Sequence, residues 1–130
     1  MKKVMTILVT LIVLSSCSSI TQKDDGKISI QNGSGENVSI PFKIMGEITT
    51  AQITKSDVQH YARMASIPAK NACKYQLTFT PQKIEIYEND DKEIVVAFQF
   101  SAQNAYGVAG LHTVFDHYKN GKQCDETLIN

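Results

Sequence analysis

From Ile94 to Ala102 the chain alternates steadily. Ile94, Val96, Phe98, Phe100 and Ala102 take one side, with Gln99, Ser101 and Gln103 on the other. A period of two sends successive side chains to opposite faces, so this segment predicts a strand with one buried face. Before it, Ile84 and Ile86 alternate with Glu85 and Tyr87, and Glu88-Asn89-Asp90-Asp91-Lys92 predicts a polar turn between the two strands. A third strand is predicted from about Val108 to Tyr118. Asn120-Gly121, a dipeptide favoured in tight hairpins, then leads to a last strand near Cys124. Nearer the start, Ile28 and Ile30 alternate within Lys27 to Gln31, a short strand candidate, and Asn32-Gly33-Ser34-Gly35 has turn or linker composition. Val38, Ile40, Phe42 and Ile44 give another strand, which Pro41 would push to a sheet edge.

The helical signal lies in the middle. Ser56-Asp57-Val58-Gln59 has the form of a capping box with Ser56 at the cap, and Val58, Tyr61, Ala62 and Ala65 then share one helical face. Ser66-Ile67-Pro68 predicts a break, with Pro68 suited to the first turn of a second helix. Residues 68–78 fit two patterns. Ala69, Cys73 and Leu77 recur every four, whereas Cys73, Tyr75, Leu77 and Phe79 alternate. Helix as far as about Leu77, ended by Pro81, is the preferred reading. Together these elements predict an α+β fold: an antiparallel sheet of three to five strands with one or two helices packed on one face.

The first residues follow a different pattern. Lys2 and Lys3 precede an apolar run from Val4 to Leu14, which Leu14-Ser15-Ser16-Cys17 closes with small residues. That is the layout of a secretory signal peptide, and its end resembles the lipobox of bacterial lipoproteins, in which the Cys becomes the lipidated first residue. A transmembrane anchor or an N-terminal core helix are the alternatives. Eleven residues at the helical rise cover only about 16 Å of a hydrocarbon layer about 30 Å thick, and a core helix would start with two lysines and no cap. The expected organisation is a cleaved signal over 1–16, lipidated Cys17 and a flexible tether over 17–37, and a single domain over 38–130. Ser18 stands where an Asp would resemble the inner-membrane retention signal. The resemblance therefore implies an outer-membrane lipoprotein facing the periplasm, held to the membrane through lipid on Cys17.

Charge and cysteine usage narrow the classes. The full chain carries thirteen basic and thirteen acidic residues, and loss of Lys2 and Lys3 leaves a slightly acidic mature chain. Arg63 is the only arginine, so no clustered basic footprint for nucleic acid is present. With Cys17 assigned to lipid, Cys73 and Cys124 remain. In an oxidising compartment they most simply pair as a structural disulfide. Reactive thiols are the alternative, but there is no Cys-x-x-Cys and no neighbouring His to lower a thiol pKa.

Ala72-Cys73-Lys74, Leu77, Pro81 and the segment Ala102-Gln103-Asn104-Ala105-Tyr106-Gly107 resemble a group of small exported bacterial domains, mostly uncharacterised. In those domains a helix bearing a Cys precedes a strand ending in Asn-x-aromatic-Gly, and a later strand often supplies another Cys. The likeness supports the fold and the disulfide and implies no activity. By chemistry, Asn104 and Gly107 fit a tight strand connection, with a ligand contact at Asn104, Tyr106 and Gly107 as the functional alternative. His112 and Asp116 share a strand face, His117 points the other way, and His60 lies on the helix. A metal site from His60, His112 and Asp116 would be a coincidence of these spacings, and no metal or other cofactor is assigned. No catalytic motif is present, so no catalytic residue is assigned. Two classes remain. One is a non-enzymatic envelope lipoprotein binding a protein partner in an inhibitory, immunity, exclusion or accessory role. The other is a periplasmic module for a small ligand or metal. An exposed apolar patch around Val95 and Ala97 would favour the first, and a pocket converging on His112 and Asp116 the second.

Overall fold

The alternating segments pair into one sheet. A computed structural model describes residues 25–124 and 128–129. Strands β1 (Asp25–Gln31) and β2 (Asn37–Ile44) form a hairpin, and helix α1 (Lys55–Ala72) follows. Strands β3 (Thr80–Glu88), β4 (Ile94–Gln103) and β5 (Ala109–Lys119) then form a meander. Two short strands, β6 (Lys122–Gln123) and β7 (Leu128–Ile129), both pair with β5. The sheet order is β1-β2-β3-β4-β5-β6, so the α+β class holds.

Two parts of the predicted sheet are corrected. It has more strands than three to five, and it is mixed, because β2 and β3 run parallel with Phe42–Ile44 beside Ile84–Ile86. Parallel neighbours need a crossover, and α1 supplies it. Pro41 does not mark an edge, because β1 covers that side of β2. The parallel ladder starts only at Phe42, so the N–H that Pro41 lacks has no partner to lose on β3. Part of the segment expected as a tether over 17–37 is strand and turn instead. Ile28 and Ile30 are buried in the core, so residues 25–37 belong to the domain, while 17–24 lie outside the described residues.

The helix is capped two residues earlier than the sequence pattern suggested. Thr54 accepts from the Asp57 backbone at 3.2 Å while Asp57 accepts from the Thr54 N–H at 2.8 Å. Gln59 is thereby released from the capping role and pairs with both backbone groups of Ser29, which occupies the outer edge of β1. Val58, Ala62, Ala65 and Ala69 form the fully buried face, and the small alanines let the helix lie close to the sheet. The break expected at Ser66-Ile67-Pro68 does not occur. Pro68 is on the exposed face, where the carbonyl deprived of its N–H partner can meet water. The helix stops at Ala72, and Leu77 lies in a separate 3-10 turn, Gln76–Thr78. Pro81 sits inside β3 at a bulge between Pro81 and Lys83.

On the sheet's inner face, Ile94, Val96, Phe98, Phe100 and Ala102 pack under α1 as the alternation predicted. Phe79 joins Phe98 and Phe100 in an aromatic cluster with centroids 5.1–6.2 Å apart. The other face does not expose Val95, which is 2% accessible between its cross-strand partners Tyr87 and His117. No helix among the described residues is long and apolar enough to cross a membrane.

The strand order gives the domain two ends. Asp25, the loop from Met45 to Thr54, the β3–β4 turn and the β5–β6 turn gather at one end. The β1–β2 turn, the 3-10 turn, the β4–β5 turn and the last turn of α1 gather at the other, where Gly33 donates to Phe79 O at 2.7 Å and Gln103 to Thr78 Oγ1 at 2.9 Å. A Cβ on Gly33 would lie 2.0 Å from Gln76 O, so only glycine permits this close seating of the 3-10 turn. The ends are about 20 Å apart along β1, by strand rise.

Candidate functional site

The β4–β5 connection shows what Asn104 and Gly107 do. Asn104 Oδ1 accepts from the backbone N–H groups of Tyr106 at 2.9 Å and Val108 at 3.1 Å, and Gly107 has φ +74°. The same device closes two other turns. Asn32 Oδ1 accepts from Ser34 and Glu36, with Gly35 at φ +87°, and Asn89 Oδ1 accepts from Asp91 and Glu93, with Lys92 at φ +63°. A side chain that bonds the backbone two and four residues on, followed by a left-handed residue, is a local turn solution. Its recurrence at three connections assigns Asn104 and Gly107 to turn geometry. Tyr106 takes no part in that bonding through its side chain and projects from the tip, 90% exposed.

Tyr106 does not project alone. At the same end Leu77 is 78% exposed and Val108 59%, Leu111 is 61% exposed on the outer face of β5, and Tyr75 is also exposed. Large apolar side chains left in water at one end of a small domain are informative where scattered single ones are not. Next to them a cleft of about 300 Å³ opens between the last turn of α1 and the β4–β5 hairpin. Phe100, Ala102, Val108 and Gly110 line it from the sheet, and Ala72, Cys73 and Lys74 from the helix end. The register creates the space, because Ala102 pairs with Gly110 and Gln103 with Ala109, leaving no bulky side chain under the helix end.

His112 lies in this cleft, its ring 5.5 Å from Phe100. Asp116 does not. It is buried four residues further along β5, beside Val96 and Tyr118, and His60 is exposed on the helix. The three do not converge, and no group of three His, Cys, Asp or Glu among the described residues could hold a metal ion. Asp116 instead shapes its neighbour. Burial, then the Asp116 charge, then Tyr61 push the Tyr118 hydroxyl up to about 12. The rings of Tyr61 and Tyr118 meet at 4.8 Å, so this cluster belongs to the core under the helix.

The expected Cys73–Cys124 bond is absent from the structure, and the fold explains why. Cys73 follows α1 at the cleft near His112, its thiol donating to Ala69 O at 3.2 Å, and burial raises its pKa. Cys124 follows β6, its N–H bonded to His117 O at 2.7 Å. His112 and His117 are five residues apart on β5, about 16 Å, whereas bridged cysteines need Cα atoms within about 7 Å. Cys17 lies outside the described residues.

A second depression, of about 490 Å³, lies over β1, β2 and β3 on the sheet's outer face. Its rim holds charges of both signs, and Lys83 is paired with Glu85 at 3.0 Å, which gives it no single chemical character. The cleft was only partly legible in the sequence. Asn104, Tyr106 and Gly107 marked its hairpin, but Leu77 was read as a helix residue and Val108 as a strand start, and neither Leu111 nor the Ala102–Gly110 pairing was singled out. The run of apolar residues on both sides of an Asn-Gly turn was the available signal. Comparison of the chain with protein-family models, with curated proteins and with solved structures finds no match.

Proposed function

We propose that this protein is a small envelope lipoprotein that binds a protein partner through the end of its domain remote from the anchor. The observation that carries the reading is the group of exposed apolar side chains Tyr106, Leu77, Leu111 and Val108 at the end opposite Asp25. Seven residues lie between Cys17 and Asp25, and the eight steps from one to the other reach at most about 28 Å. An anchor at Cys17 therefore holds the domain near the membrane by its Asp25 end and leaves the apolar end as the one farthest from the point of attachment. Aromatic and aliphatic anchors of this kind supply most of the energy of a protein interface, and they need no catalytic group. An inhibitory, immunity, exclusion or accessory role fits this arrangement.

The test has two arms. Intact mass of the membrane-extracted protein should correspond to a chain starting at Cys17 plus acyl groups, and an unmodified full-length mass would sink the lipoprotein reading. A photocrosslinking residue at Tyr106 should capture a protein in the native envelope, while the same residue at Asp90 should not. A second reading rests on the cleft itself, whose volume is at the lower edge of the range of about 300–1,000 Å³ for ligand pockets. A small apolar ligand retained in native mass spectrometry, with no crosslink at Tyr106, would favour it.

A further inference from the structure

The apolar end also carries more basic than acidic side chains, and that local bias beside the cleft specifies a partner. Arg63, Lys70 and Lys74 lie along the α1 side of this end, with Glu36 as the acidic residue on the facing β1–β2 turn. The opposite end is mixed: Asp57, Glu88, Asp90, Asp91 and Glu93 lie on its cap and turn with Lys55 and Lys92, and Lys119 and Lys122 stand at the ends of β5 and β6. Lys74 is placed most directly. It lines the cleft, with its ammonium 5.8 Å from the Tyr75 ring centre. The carbonyls ending α1 reduce this positive field, but two of them are already engaged: Lys70 O accepts from the Cys73 N–H and Ala69 O from its thiol.

The cleft sets the other half of the specification. At about 300 Å³, floored by Phe100 and widened by Ala102 and Gly110, it suits one bulky apolar side chain better than an extended chain of atoms. Resting on the protein-binding reading, we infer that the partner is a protein segment that inserts an aromatic or aliphatic side chain into this cleft and carries carboxylates beside it. The inserted side chain gives the affinity, and the flanking carboxylates meet Lys74 at the rim and Lys70 beyond it, on the side of the β1–β2 turn. Rim charges act mainly on association rate and salt dependence, whereas the buried anchor controls dissociation. The two contributions can therefore be separated by substitution.

The experiment is crosslinking from position 106 of the full-length protein in its native envelope, with the captured peptide identified by mass spectrometry. The expected peptide has Phe, Tyr, Trp or Leu within a few residues of Asp or Glu. Ala102→Leu, which fills the cleft, should lower the yield about tenfold or more, and Val108→Ser, at an exposed position that folding does not depend on, should lower it as well. The pair K70E and K74E should lower it about three- to tenfold, with the loss shrinking as salt rises. A captured segment that is neutral or basic, or a yield indifferent to both sets of substitutions, overturns this inference and leaves the protein-binding reading standing. Capture of lipid alone, or of nothing, overturns both.

Discussion

The two ends of the domain are closed by the same kind of turn and finished in opposite ways. At the Asp25 end the Glu88 carboxylate accepts four hydrogen bonds, from the backbone and hydroxyl groups of Thr49 and Thr50, at 2.7–3.0 Å. Lys92 stands 3.5 Å from the same carboxylate, and Asn89 bonds Glu93 within the turn. At the other end the turn built on Asn104 presents Tyr106, and the residues around it leave apolar surface in water. Identical backbone devices thus carry a satisfied polar lattice in one place and an uncovered apolar surface in the other. Turn geometry here is a matter of folding. The side chains placed upon it are what distinguish the two ends.

The contrast is broken most severely from the shared core. Phe98→Ala, at a fully buried position in the aromatic cluster, should cost about 3–5 kcal/mol in urea unfolding, whereas Tyr106→Ser should fall within about 0.5 kcal/mol of the parent. A large loss at Tyr106 would mean that the exposed end is structural. Next in size are the turns. Gly107→Ala forces a Cβ into φ +74° and should cost about 1–2 kcal/mol, although nothing lies within 4 Å of the added atom. An equal cost at Ala105 would show that the loss came from contacts rather than backbone conformation.

Acid sharpens the comparison at the polar end alone. The hydrogen bonds from Thr49 and Thr50 lower the Glu88 pKa from 4.5 to about 2. A depressed carboxylate pKa means a stabilising contribution that is present above pH about 4.5 and lost as pH falls toward 2. Glu88→Gln should therefore flatten the pH dependence of stability across that window, as followed by denaturant midpoints. An unchanged slope would remove Glu88 from the account. The smallest effect is expected from reductant. Since Cys73 and Cys124 lie at opposite ends of β5, the thermal midpoint should not move with dithiothreitol, and non-reducing peptide mapping should find no Cys73–Cys124 peptide.

Much of this fold was legible from local pattern and the rest was not, for identifiable reasons. The β3–β5 meander announced itself through the alternation at Ile84, Ile94 and Phe98, and Asn120-Gly121 gave its hairpin, with φ +54° and +79°. β1 was partly hidden because Asp25 and Gly26 read as polar lead, while its burial comes from pairing with β2. Pro68 looked like a helix break because a sequence does not display which face of a helix is wet. The parallel β2–β3 pair and the cleft are long-range consequences of the crossover and of the Ala102–Gly110 register, to which no short window refers. Asn104 and Gly107 were correctly read as turn chemistry, and the matching pattern at Asn32 and Asn89 could have strengthened that reading.

The most direct test of the account compares side-chain oxidation by hydroxyl radicals in the native envelope with that in the purified protein. Tyr106, Leu77 and Leu111 should be protected in the envelope and readily oxidised after purification. The exposed Met64, midway along α1 and away from both ends, serves as the internal reference. Equal oxidation of Tyr106 in both settings, or protection confined to Met64, would contradict the assignment of the apolar end as the binding surface.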